Sequence, residues 1–222
     1  MRTKKLPSWA GYILFPLIFV IITVAILFAL FAPTINPYIG LLSYVISDKE
    51  AYVSTELFTG ISEDIAKSGM LPRSQINYPQ TGDMYGNITV SDTSVDAPLY
   101  YGDATKQLNS GVGTYVGDMG AGIPGESKTV LLAGHNNTFF NGLQDVQEGA
   151  TVTINTNYGQ YIYEVTGTTI TSDNDASAYD LAQTNENLIM YTCYPFDALG
   201  LTPVRFFVYA KYVSGPVIDP AS

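Results

Sequence analysis

Apolar and polar positions divide this chain into three textures. From Trp9 to Phe31 almost every position is apolar, and no charged residue occurs between Lys5 and Asp48. About twenty such residues cross a bilayer at roughly 1.5 Å rise per residue, so a transmembrane helix is expected over 9–32. A second apolar patch, Ile35 to Ile46, is broken by Asn36, Pro37 and Gly40 and is too short to span easily. The period then changes. Val53, Leu57, Ile61 and Ile65 recur every four residues behind Ser47-x-x-Glu50, a capping-box pattern, and Gly69 supplies a stop. An amphipathic helix over Asp48–Ser68 follows, within a juxtamembrane segment 33–76.

From about Asn77 onward, short runs rich in Val, Ile, Thr and Tyr alternate with Gly, Pro, Asn and Asp. This is the pattern of an all-β barrel or sandwich. The expected strands are Tyr85–Val90, Leu99–Tyr101, Lys128–Ala133, Ala150–Thr156, Gln160–Ile170, Leu188–Cys193 and Val204–Val213. Asn157-Tyr158-Gly159 makes a hairpin turn between the fourth and fifth. No repeat and no second globular domain interrupts residues 77–222.

Charge adds orientation and excludes a class of partner. Arg2, Lys4 and Lys5 precede the apolar span and no comparable cluster follows it, which places the N-terminal tail, residues 1–8, in the cytoplasm and the β-domain outside. The apolar core is too long for a cleaved signal peptide, so an uncleaved anchor is expected. The whole chain carries −10; without the three basic residues of the tail, seven basic residues face twenty acidic ones, a balance of −13. Such a surface is not one for nucleic acid.

The residues able to do chemistry are few. Cys193 is the lone cysteine and His135 the lone histidine. A lone cysteine is compatible with a buried structural thiol or with a nucleophile. Here it ends an apolar run where a strand gives way to a loop, the kind of position where catalytic groups concentrate. His135 stands just past the end of Thr129–Ala133, and cysteine with histidine can supply an attacking sulfur and a proton carrier near neutral pH. Arg205 opens the next strand, followed by Phe206, Phe207, Val208 and Tyr209. No zinc set can be assembled from one histidine and one cysteine; Asp173, Asn174, Asp175 and Asp180 form only a loose oxygen cluster. The glycine-rich run Gly111–Gly125 lacks the spacing and the following helix of a nucleotide loop.

Together these residues resemble the sortases, membrane-anchored cysteine transpeptidases of Gram-positive cell surfaces. Ala133-Gly134-His135 matches the family's A-G-H motif. Ile189-Met190-Tyr191-Thr192-Cys193 stands where the family has T-L-x-T-C, with Ile189 and Met190 in place of the usual threonine and leucine. Arg205 opens the following strand as the family's arginine does. Tyr194-Pro195-Phe196 and the phrase Arg205–Ala210 look most like class D.

The resemblance implies a single sortase-like β-barrel with short helices behind a transmembrane helix. It also implies a reaction without metal or cofactor, in which Cys193 attacks the threonine carbonyl of an L-P-x-T-G sorting signal. His135 would carry protons, Arg205 would stabilise the oxyanion, and Met190, Thr192 and Tyr194 would contact substrate. The implied partners are sorting-signal proteins and an amine of a peptidoglycan precursor. A pilin amine, or water as in a related cysteine peptidase, is the alternative acceptor, and an anchored binding domain is the non-enzymatic one. Asn77-Tyr78-Pro79-Gln80-Thr81-Gly82 resembles a sorting signal with tyrosine for leucine; it is a connector ahead of the barrel or a weak pseudosubstrate.

Overall fold

In a computed structural model, residues 8–46, 69–117, 120–198, 200 and 202–221 are described. The chain divides into two compact units after Asn36. Helix α1, Ser8–Ile46, is 39 residues long. Phe15, Phe19, Phe28 and Leu30 are exposed along with most of its other large apolar side chains, and an apolar helix uncovered along most of its length is suited to lipid. Residues Tyr12–Ile46 form one helix long and apolar enough to cross a membrane. The Ile35–Ile46 patch is therefore a continuation of α1, which runs through Pro33 and Pro37. The amphipathic helix expected over Asp48–Ser68 lies outside the described residues.

Among its described residues the second unit contains ten strands: β1 Met70–Pro72, β2 Met84–Val90, β3 Asp96–Tyr101, β4 Val112–Thr114, β5 Thr129–Ala133, β6 Thr151–Thr156, β7 Gln160–Ser172, β8 Asn187–Tyr194, β9 Val204–Ser214 and β10 Val217–Asp219. A six-residue helix, α2 Thr105–Ser110, precedes β4. Eight strands close into a barrel in the order β2-β3-β4-β5-β8-β9-β7-β6, while β1 pairs in parallel with β10 outside it. All seven strands read from the alternation are barrel strands. The eighth, β4, is three residues long with Gly113 at its centre, too short to display a period. Leu71 of β1 is fully buried, so the packed unit begins upstream of residue 77.

Strand alternation sorts the side chains. Val130, Leu132, Leu188, Met190, Val208 and Ala210 point into the barrel and form part of one core with Ile88, Val152 and Ile154. The opposite parity of the same strands, Leu131, Ile189 and Phe207, builds a second cluster on the outer face with Ala178 and Leu181, bordered by Tyr115, Tyr179, Tyr191 and Tyr209. Strand β5, antiparallel to β4 and parallel to β8, is consequently buried on both faces.

The Tyr78–Gly82 segment is built into the rim of the barrel. Tyr78 sits edge-on to Tyr101, its hydroxyl donates to Glu126 at 3.0 Å, and Arg73 lies over its ring. The Gly82 amide donates to the Tyr101 carbonyl at 2.8 Å. These contacts hold the segment against the barrel.

Candidate active site

Two strand registers bring the three candidate residues to one end of the barrel. In the antiparallel pair β8/β9, Cys193 lies directly opposite Arg205. Residues facing each other in this way put their side chains on one face. In the parallel pair β5/β8, Ala133 is level with Tyr191. His135 follows in the loop two residues past Ala133, and Cys193 follows two residues past Tyr191 on β8. The Gly134 amide extends the ladder by donating to the Tyr191 carbonyl at 3.3 Å.

The loop carrying His135 is fastened at several points. Thr192 Oγ1 donates to the Gly134 carbonyl at 2.7 Å within the protein interior. Gly134 lies against Phe140, whose ring would stand 2.7 Å from any Cβ placed there, so glycine alone allows the strand to leave the barrel at this point. Asn136 is buried, and its amide donates to the Pro195 carbonyl at 2.7 Å, joining the loop after His135 to the loop after Cys193. Asn141 closes the same junction by donating to the Asn136 carbonyl and to Asp197, each at 2.8 Å.

His135 is part-buried, and burial pulls its pKa below 6.5. Its Nε2 lies 3.2 Å from Asn109 Oδ1 at the end of α2. The Arg205 guanidinium is largely covered and donates to the carbonyls of Thr202 and Val204, with Asp173 3.5 Å away. The arginine is thus held by the turn that opens its own strand and by the end of β7, where Thr171 pairs with it across the ladder.

From Arg205 a groove of about 350 Å³ runs along the outer face over Leu131, Leu181, Tyr179, Tyr191 and Phe207. Tyr191 stacks on Phe207 with centroids 5.6 Å apart. Burial pushes the Tyr191 hydroxyl up to about 12, with Asp103 adding to the shift, so it stays a neutral donor at any physiological pH. None of Asn77–Gly82 lines this groove.

Two of the expected substrate contacts are corrected by this geometry. Met190 is wholly buried inside the barrel core, on the face opposite Cys193, and no peptide can reach it. Thr192 shares that parity; its side chain is a fastener between β8 and the histidine loop. Tyr194 is part-exposed at the strand end, edge-on to Phe196, and stays available to a ligand. The residues that sequence reasoning missed, Tyr191 and Phe207, lie on the same face as Cys193 and Arg205, two positions along each strand. Asn109 and Asn136 left no signal, because what marks them is a contact with a distant segment.

The loose oxygen cluster is committed internally. Asp175 accepts from Thr171, Ser177 Oγ and the Ser177 amide, and Asp180 accepts from the Ala182 amide and Gln183. Among the described residues no three of His, Cys, Asp or Glu gather to hold a metal ion.

The closed eight-stranded barrel is the fold of the sortase-type cysteine transpeptidases. The chain belongs to the sortase family: the sortase domain model matches residues 88–213. It is 31% identical over 136 residues to Sortase D of Bacillus subtilis (strain 168), covering 61% of this chain and 67% of that protein. The catalytic domain of B. anthracis SrtD superposes with a TM-score of 0.52 at 26% identity, covering 64% of this chain and 95% of that one. Sortase C-1 from Actinomyces oris shares the fold at a TM-score of 0.52 and 23% identity, over 59% of this chain and 73% of its own.

Proposed function

We propose that the chain cleaves an L-P-x-T-G-type sorting signal between threonine and glycine and joins the acyl-threonine to an amine of the cell wall. The observation that carries this reading is the register facing Cys193 with Arg205, with His135 two residues past the end of the neighbouring strand β5. The Cys193 thiolate attacks the threonine carbonyl carbon, forming a C–S bond as the carbonyl electrons move to oxygen. Arg205 stabilises that oxyanion. Collapse breaks the C–N bond, and protonated His135 gives its proton to the departing glycine amine. An incoming amine then attacks the thioester, His135 takes its proton, and the thiolate leaves.

The groove supports the substrate class. An extended peptide advances about 3.4 Å per residue, so a leucine three positions before the attacked threonine lies about 10 Å from Cys193. The groove that starts at Arg205 offers Tyr191, Leu131 and Phe207 within it, an apolar and aromatic lining suited to leucine and proline.

In this reading α1 is a single-pass anchor over 9–32 with residues 1–8 in the cytoplasm and the catalytic domain outside the cell. The test is mass spectrometry of the full chain in detergent micelles with an L-P-x-T-G peptide library, with and without an added amine. An adduct on Cys193 ending at threonine, passed on to the amine, is expected. A thiol that forms no acyl adduct with any member would reject the reading, and release to water alone would make the protein a peptidase.

A further inference from the structure

The last turns of α1, Pro37–Ile46, belong to the catalytic unit. Pro37 is buried and Gly40, Leu41 and Tyr44 are part-buried, whereas Tyr38, Ile39, Leu42, Ser43, Val45 and Ile46 are exposed. Positions 37, 40, 41 and 44 follow the i, i+3, i+4, i+7 spacing of one helix face. Leu41 and Tyr44 pack against the barrel core, and the Tyr44 hydroxyl donates to Asp96 Oδ1 at 2.9 Å. Gly40 lies so close to α2 that a Cβ there would stand 1.9 Å from the Asn109 backbone oxygen. Any other residue must push α2 aside.

Asn109 is the same residue whose side-chain oxygen meets His135 Nε2. An amide oxygen only accepts, so this contact favours the tautomer with the proton on Nε2 and keeps Nδ1 free of it. A six-residue helix has no stability of its own. The position of α2 is therefore set by its neighbours, β3 and β4 in the barrel and the Gly40 turn of α1.

We propose that Asn109 is the positioning residue of His135, and that the Pro37–Tyr44 face of α1 clamps it through the contact at Gly40. The proposal rests on the acid–base role given to His135 above. Removing the amide frees the ring to rotate and to change tautomer, which lowers turnover while leaving the peptide groove alone. It also removes an acceptor from the imidazolium, adding to the effect of burial. The titratable groups on elements beside the ring are Tyr191, Cys193 and Tyr194 on β8, Asp197 after it, Arg205 on β9, Asp103 just ahead of α2 and Lys106 within it; the turns Pro37–Ile46 carry Tyr38 and Tyr44 and no charged residue.

The experiment uses the full chain in detergent micelles and an L-P-x-T-G peptide with an amine acceptor. Asn109→Ala is expected to lower kcat roughly tenfold with KM within about twofold, and to move the limb of the pH–rate profile that reports His135 to lower pH. Asn109→Asp keeps an acceptor and adds charge, so that limb moves to higher pH. Gly40→Leu reproduces the Asn109→Ala behaviour and adds nothing to it in the double variant, whereas Ser43→Leu on the exposed side of the same turn matches wild type. Should Gly40→Leu fail to fold, Tyr44→Phe, which loosens the same turns, is read for the same two changes. Unchanged kcat and pH limb in Asn109→Ala overturn the positioning role; unchanged values in the clamp variants overturn the clamp. Turnover that disappears in Cys193→Ala must be present throughout, and its absence in the wild type sinks the functional reading and this one with it.

Discussion

The Thr192 hydroxyl and the Gly134 carbonyl, 58 positions apart in sequence, meet at 2.7 Å inside the protein and bind the strand of the cysteine to the strand of the histidine. Thr192 is 2% exposed, so its hydroxyl cannot also serve a peptide. Replacing it with valine keeps the shape and leaves the Gly134 carbonyl without this donor, a loss of about 1–2 kcal/mol in unfolding free energy. Thr192→Val is therefore expected to lower the denaturation midpoint and kcat while KM for the peptide holds, and Thr192→Ser to recover most of both. Urea unfolding and steady-state kinetics on the two variants check this; a raised KM at unchanged stability would restore a substrate contact.

Much of this architecture is visible in the order of residues. Alternation revealed seven of the eight barrel strands, and the strand-end positions of His135, Cys193 and Arg205 singled them out before any contact was known. What remained hidden is of two kinds. Met190 and Tyr191 are both apolar-rich strand residues beside the cysteine, and only the parity of Cys193, once it is known to face outward, decides which of them meets the groove. Asn109, Asn136 and Gly40 depend on contacts between segments far apart in sequence, which no local pattern encodes. The continuation of α1 through Pro37 belongs to the second kind, since packing of Pro37, Leu41 and Tyr44 within the catalytic unit offsets the missing backbone donor.

Arg205 reaches the Thr202 and Val204 carbonyls and Asp173 with different edges of one planar fork. Lysine supplies a point charge on a flexible stem and cannot keep those anchors while facing an oxyanion. Arg205→Lys is expected to lower kcat about a hundredfold, near 3 kcal/mol of transition-state stabilisation, with the fold intact by circular dichroism. Near-normal turnover in this variant would remove Arg205 from the chemistry.

The parity argument makes adjacent residues behave in opposite ways. Met190 fills the barrel interior, so Met190→Ala is expected to cost about 2–5 kcal/mol of stability and to leave the KM of the folded fraction unchanged. Tyr191→Ala opens the groove floor beside Phe207, so KM for the sorting peptide rises while stability changes far less. Thermal unfolding and peptide kinetics, measured on both variants together, separate the two faces. A KM effect confined to Met190→Ala would reverse the assignment of the strand.

Burial of His135 has a consequence for stability as well as for chemistry. Its folded pKa lies below 6.5, the value of the exposed ring, because desolvation disfavours the imidazolium. As pH falls through about 6.5 the unfolded chain takes up this proton before the folded chain does, so stability declines with acidification until the folded ring is protonated too. Above that window both states are neutral and the group contributes no pH dependence. His135→Gln removes the titration, so the wild type should lose melting temperature relative to the variant between pH 8 and pH 5, with the gap constant above pH 7.5. A gap that moves the other way on acidification would mean that the folded protein stabilises the imidazolium, as a carboxylate partner would.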